Sequence, residues 1–126
     1  MKEYIVKVYN SGDRHWYLND KRHREDGAAI EGSDGYRAWF INDKRHREDG
    51  PAFEDPNGDK CWFINDKRHR EDGPAIEDAD GDKYWFINGK ELTEEEFNNR
   101  NKVELTLEDI ANKFDIDINE LRIKQQ

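Results

Sequence analysis

The chain has 126 residues, 40% of them charged and 33% apolar, with a net charge of −9, a sequence pI near 4.9 and a mean hydropathy of −1.29. Ordinary soluble domains carry about 25% charged residues, so one large apolar core is excluded, and low hydrophobicity with high net charge is the signature of disorder. Aromatic residues nevertheless reach 12%, including four Trp, which disordered chains are poor in.

At the N-terminus, Met1-Lys2-Glu3-Tyr4-Ile5-Val6-Lys7-Val8 is a short apolar patch cut by charges. It lacks the apolar core and cleavage site of a secretory leader. Tyr4–Tyr9 alternates and predicts an edge strand. No run approaches the roughly 18 apolar residues of a membrane helix, so no membrane partner is expected. The lone Cys61 excludes an internal disulfide framework, and a reducing, cytoplasmic setting is expected.

From about residue 14 the chain repeats itself. Trp16, Trp39, Trp62 and Trp85 stand 23 residues apart, and His23, His46 and His69 keep the same step. So do Gly27, Gly50 and Gly73, and Gly12, Gly35, Gly58 and Gly81. Three full copies and a truncated fourth run to about residue 92. Each copy reads as two short strands: Cys61-Trp62-Phe63-Ile64, rich in aromatic and β-branched residues, and Pro74-Ala75-Ile76-Glu77. Asn65–Asp72 and its equivalents read as a loop joining them. Asp34-Gly35, Asn57-Gly58 and Asp80-Gly81 predict tight turns between copies, since Gly accepts positive φ. A 23-residue unit cannot bury its own strands, but stacked neighbours can.

After Lys90 the repeat breaks. Thr93-Glu94-Glu95-Glu96 is a capping box and predicts a helix from about Glu94 to Asn101. Leu107, Ile110, Ala111 and Phe114 share one helical face and predict a second helix. The segment from Ile116 to Ile123 reads as a short helix or returning strand. The fold expected is mainly β with a small α cap: an elongated antiparallel sheet of 23-residue β-hairpin repeats over residues 1–92, plus C-terminal helices over residues 93–126.

The period, the aromatic start, the Asn-Asp-Lys-Arg-His or Asn-Gly-Lys continuation and the closing Asp-Gly resemble MORN repeats. The resemblance covers about residues 4–92 and implies β-hairpin units aligned into a twisted sheet. The longer loops His23–Ala29, His46–Ala52 and His69–Ala75 depart from the usual Lys-Arg-His-Gly-x-Gly. They are similar to a variant found in small proteins of bacteriophages and large viruses. MORN arrays mostly bind proteins or lipids, so the resemblance implies binding rather than chemistry.

The His-Arg-Glu-Asp sets (His23, His46 and His69 with their neighbours) could in principle gather a metal. Threefold repetition favours a structural role instead, because active sites are single and asymmetric; no metal, cofactor or catalytic residue is expected. Arg24, Arg47 and Arg70, with His23, His46 and His69, could hold a nucleotide or other small ligand in a basic stripe. Asp20, Glu25 and Asp26 and their equivalents stand beside each cluster, so the stripe reads more readily as a ladder of inter-repeat salt bridges. An acidic chain is poor at binding phosphate backbones, and no direct DNA binding is expected. Charge grows more negative from copy to copy. This points to Glu77, Asp78, Asp80, Asp82, Glu94, Glu95, Glu108 and Asp109 as a docking surface for a basic partner. The function expected is non-enzymatic protein binding. The partner expected is a host protein or protein–nucleic-acid complex, blocked by a phage or mobile-element inhibitor of defence, for example of the CRISPR type. The alternative is a nucleotide sponge built on the Lys-Arg-His-Arg loops. A homodimer through half-apolar sheet faces is also expected.

Overall fold

The computed structural model describes residues 2–101; the second predicted helix, the segment from Ile116 to Ile123, Glu108 and Asp109 lie outside these residues. In chain order the strands are β1 (Tyr4–Val8), β2 (Arg14–Leu18), β3 (Lys21–Arg22), β4 (Ile30–Glu31), β5 (Arg37–Ala38), β6 (Phe40–Ile41) and β7 (Lys44–Arg45). They continue as β8 (Phe53–Glu54), β9 (Lys60–Cys61), β10 (Phe63–Ile64), β11 (Lys67–Arg68), β12 (Ile76–Glu77), β13 (Lys83–Ile87) and β14 (Lys90–Leu92), followed by helix α1 (Glu94–Asn99). All strand pairs are antiparallel. The main sheet runs β1-β2-β4-β5-β8-β9-β12-β13-β14, so it is an open, mainly β architecture with one short helix among the described residues.

Within this plan each repeat is a hairpin whose return strand is split. The outgoing strand carries Trp at its centre. In the second repeat, residues before Trp39 pair with β8 and residues after it pair with β7. Trp39 N–H donates to Ala52 O at 2.8 Å, and Trp39 O accepts from His46 N–H at 3.1 Å. His46 and Ala52 thus share the place opposite one residue, and residues 46–52 leave the sheet between them as an excursion. Trp16 and Trp62 clamp residues 23–29 and 69–75 in the same way.

The expected single loop after each outgoing strand is therefore corrected. Asn42-Asp43 and its counterparts are two-residue turns, with both residues at positive φ (50° and 66° at Asn42 and Asp43), and a Lys-Arg strand follows directly. Both positive φ values match the right-handed twist of a hairpin. Asn and Asp can occupy the left-handed region because their short side chains bond locally.

Turns between repeats follow a second rule. Asp55 N–H bonds Asp59 O and Gly58 N–H bonds Asp55 O, both at 3.0 Å, with Gly58 at φ 104°. A three-residue loop closing on a left-handed Gly is common in hairpins. Neighbouring turns are tied together: Asp13 Oδ1 accepts from Ser33 N–H and Asp59 Oδ1 from Ala79 N–H, both at 2.7 Å. At the intervening junction Tyr36 replaces the Asp and Pro56, which has no N–H, replaces the donor.

Register sorts the side chains into two rows. Arg14, Glu31, Arg37, Glu54, Lys60, Glu77 and Lys83 lie opposite one another across successive strands, alternating in sign. Opposite charges facing across strands stabilise a sheet by about 0.2–1 kcal/mol a pair. The other row is His15, Ile30, Ala38, Phe53, Cys61, Ile76 and Tyr84. Phe53 stacks edge-on against Phe63 at 5.5 Å and Phe40 at 6.5 Å. The buried set is small: Ala28, Ala29, Ala38, Ala52, Ala75, Phe63 and Phe97, with Pro51 and the one buried polar side chain among the described residues, His23. Alanine at the base of each excursion lets the backbone sit close to the sheet. The half-buried Cys61, which burial pushes to a higher thiol pKa, is a filler in this row.

At the C-terminal end the capping box forms as expected: Glu96 N–H donates to Thr93 Oγ1 and Thr93 N–H to Glu96 Oε1. The helix is two residues shorter than expected. Buried Phe97 packs 6.5 Å from Trp85, and Arg100 Nη2 donates to the carbonyl of Glu71. Trp85 has no excursion of its own, and α1 covers it instead.

Candidate functional site

The excursions are the part of the repeat not used to build the sheet, and they share one set of contacts in all three copies, the first differing in that Lys2 bonds Glu25 at 2.6 Å. Arg47 lies with Cζ 3.8 Å from the centre of the Trp39 ring; Arg24 and Arg70 lie 4.0 Å from Trp16 and Trp62. A guanidinium over an indole face is attracted by the ring quadrupole. Arg47 Nε donates to Asp49 Oδ1 at 3.0 Å, and Nη1 donates to Pro51 O at 3.1 Å and Glu54 Oε1 at 3.4 Å. Arg24 and Arg70 make the equivalent bonds. On the remaining side sits Gly50, where a Cβ would stand 2.8 Å from Arg47 Cζ. The guanidinium is a plate held between indole and glycine, and its side chain is only 22% exposed.

Each His is committed as well. His23, His46 and His69 accept through Nδ1 from the N–H of Asn42, Asn65 and Asn88 in the next repeat, at 3.1, 3.0 and 2.9 Å. A backbone N–H can only donate, so the neutral ring carries its proton on Nε2. Nε2 faces Glu25 at 3.3 Å and Glu48 and Glu71 at 3.5 Å. Successive repeats are further joined by Arg24 N–H to Phe40 O and Asp43 N–H to Arg22 O. Among the described residues, no three of His, Cys, Asp and Glu converge as a metal site would require.

The acidic members behave oppositely. Asp26, Asp49 and Asp72 bond Arg Nε with one oxygen yet remain 85–87% exposed, and Glu48 and Glu71 are as open at 83% and 80%. Arg70 beside Asp72 holds that carboxyl below its usual range; Lys2, and then His23, do the same for Glu25. Asp72 and Glu25 therefore carry charge at neutral pH. The expected inter-repeat salt-bridge ladder is corrected in one respect. The excursion pairs Arg–Asp and Arg–Glu lie within a repeat, whereas Arg45–Asp66 and Lys2–Glu25 cross between chain segments.

Between excursions run open clefts. One of about 740 Å³ is lined by Arg47–Pro51 on one side and Trp62, Ile64 and His69–Asp72 on the other. Its counterpart one repeat earlier, about 730 Å³, lies between residues 24–27 and Trp39, Ile41 and residues 46–49. Each cleft has an aromatic and aliphatic floor and an acidic rim.

The residues expected to form the acidic end are dispersed in role. Glu77 is paired with Arg70 at 3.3 Å. Asp78 Oδ1 accepts from the N–H groups of Asp80 and Asp82, at 3.1 and 2.9 Å, and so shapes its own turn. Asp80, Asp82, Glu94 and Glu95 are exposed. In the sequence, Glu25, Asp26, Glu48, Asp49, Glu71 and Asp72 read as neutralising partners or as members of the His-Arg-Glu-Asp sets, not as a binding surface. Their recurrence at +9 and +10 from Trp, with Gly at +11, is the signal that marks them.

The fold and the excursions together define an open repeat sheet bearing a regular line of outward carboxylates. No protein-family model, curated protein or solved structure matches the chain.

Proposed function

We propose that the chain is a non-enzymatic binding protein whose excursion tips present an acidic comb to a basic, nucleic-acid-binding surface of a host protein. The observation that carries this reading is the inversion within each Arg-Glu-Asp set: the cation is turned onto Trp while the carboxylates face solvent. Two strands per repeat at about 4.8 Å each put successive excursions roughly 10 Å apart. Two carboxylates per step then approach the roughly three phosphates that one strand of a duplex carries over that length. Such a comb competes for surfaces shaped to receive a polyanion. In this reading the protein is an inhibitor carried by a phage or mobile element and acts in the host cytoplasm on a defence complex, for example of the CRISPR type. Arg24, Arg47 and Arg70 are spent on Trp, Asp and Glu partners, which leaves the nucleotide-sponge reading without support.

The test is capture of host protein by the full chain, followed by challenge with an oligonucleotide. A specific partner released by the oligonucleotide, and bound at least tenfold more weakly by Glu48→Gln/Glu71→Gln, supports the proposal. Equal capture by both chains, or capture indifferent to the oligonucleotide and to salt, overturns it.

A further inference from the structure

The two ends of the sheet are treated differently. At the C-terminal end β14 carries Lys90 and Glu91, and α1 packs beside it. At the N-terminal end β1 is five residues long and exposed throughout; Ile5 and Val8 are 57% and 68% exposed. A long, apolar, uncovered edge invites pairing with another strand.

The register fixes which backbone groups are unpaired. Val6 lies opposite Trp16. Trp16 sends its N–H to Ala29 O and receives His23 N–H at its carbonyl, so both its polar groups face away from β1. Tyr9 N–H, by contrast, bonds Asp13 O on the β2 side. Alternation along an antiparallel strand then turns the N–H and C=O of Tyr4, Val6 and Val8 outward, and carrying the same alternation into the residues just before β1 turns those of Lys2 outward too.

We propose that this edge is occupied by β1 of a second copy, antiparallel and centred on Ile5. That register sets Lys2 opposite Val8, Tyr4 opposite Val6 and Glu3 opposite Lys7, each pairing occurring twice by symmetry. All four outward residues find partners, and the only two charges on that face of the strand, Glu3 and Lys7, meet opposite charges. Centring on Val6 instead would place Lys7 opposite Ile5 and leave both charges unmatched. A two-fold axis normal to the sheet makes one continuous sheet and keeps both sets of excursions on the same side. The acidic comb is thereby doubled in length, but the dimer does not depend on the function proposed for it.

The test is sedimentation velocity on the full chain across a concentration series, with circular dichroism as the control for folding. The wild type is expected at twice the 15.1 kDa chain mass. Val6→Pro removes an outward N–H that the monomer does not use, and edge strands accept Pro at such positions; it is expected to sediment as a folded monomer. Lys7→Glu turns two attractive cross-strand pairs repulsive and is expected to weaken the dimer about tenfold, with Glu3→Lys/Lys7→Glu restoring it. A wild type that stays monomeric at every concentration overturns the proposal. So does a folded Val6→Pro chain that remains dimeric, or a charge swap that restores nothing.

Discussion

Gly50 offers a direct test of how the excursion is held. It is not in the left-handed region, so its reason for being glycine is space alone. An added methyl would stand 2.8 Å from Arg47 Cζ, 3.0 Å from Nε and 3.1 Å from Nη1. The plate cannot retreat, because the Trp39 ring lies 3.8 Å away on the other side and three acceptors fix its edges. Overpacking of this kind costs about 1–3 kcal/mol, and Gly50→Ala is expected to lower stability by that amount in urea titrations. With Arg47→Ala already in place the obstacle is gone. The second substitution should then cost nothing, or stabilise by about 0.5 kcal/mol through reduced freedom of the unfolded chain. A double-mutant cycle should therefore return a coupling of about 1–3 kcal/mol between two positions three residues apart. Equal costs in both backgrounds would refute the sandwich, and would mean that glycine is kept there for a backbone reason.

Three further outcomes are expected. Asp20 sits at φ 64° with no carboxylate hydrogen bond among the described residues, whereas Asp43 at φ 66° accepts from Arg22 N–H at 2.7 Å. Asp20→Gly should stabilise by about 0.5–1 kcal/mol and Asp43→Gly should gain little; chemical denaturation reads both, and equal gains would contradict the assigned bond. Tyr36→Asp with Pro56→Ala should install the missing tie between turns, so that the pair exceeds the sum of its singles by about 1 kcal/mol; additivity would show that Asp13–Ser33 and Asp59–Ala79 are incidental. Finally, the carboxyls of Asp13, Asp66 and Glu96 are held below their usual range, first by Ser33 N–H, the Arg45 side chain and Thr93 N–H respectively. Groups depressed on folding stabilise above their unfolded values, and that stability is lost as pH falls through the folded ones. The urea midpoint should therefore fall as pH drops below about 5, with a shallower fall in Asp66→Asn; a midpoint that rises on acidification below that point would refute these assignments.

Much of the sheet was legible because its signals are local. Strands follow from Trp-Phe-Ile and Ala-Ile-Glu, turns from Gly35, Gly58 and Gly81, and the helix start from Thr93 and Glu96. The Lys-Arg strands were missed because Asn-Asp is a less familiar hairpin turn than Asn-Gly, although Asn88-Gly89 stands at the corresponding place in the last copy. The sign of the excursion surface was the larger gap. Composition makes Lys-Arg-His-Arg look basic, and only the distance from Arg47 to Trp39, eight residues earlier, reveals that the cation is spent. The sequence does hold a trace of this. Arg at +8 and Gly at +11 accompany Trp16, Trp39 and Trp62, and both are missing after Trp85, where Thr93 and Glu96 begin the helix instead.

The ties between repeats also bear on how such a chain can change over generations. The His to Asn bonds and the Arg24 N–H to Phe40 O type of bond recur at every junction, so each unit ends with the surface on which the next begins. A duplication or loss of 23 residues in frame lengthens or shortens the comb without asking for a new contact. A shift by any other number would put Gly where Asp belongs and Arg where no indole waits. Length is thus the property selection can alter most freely in this protein, and with it the reach of whatever the excursions touch.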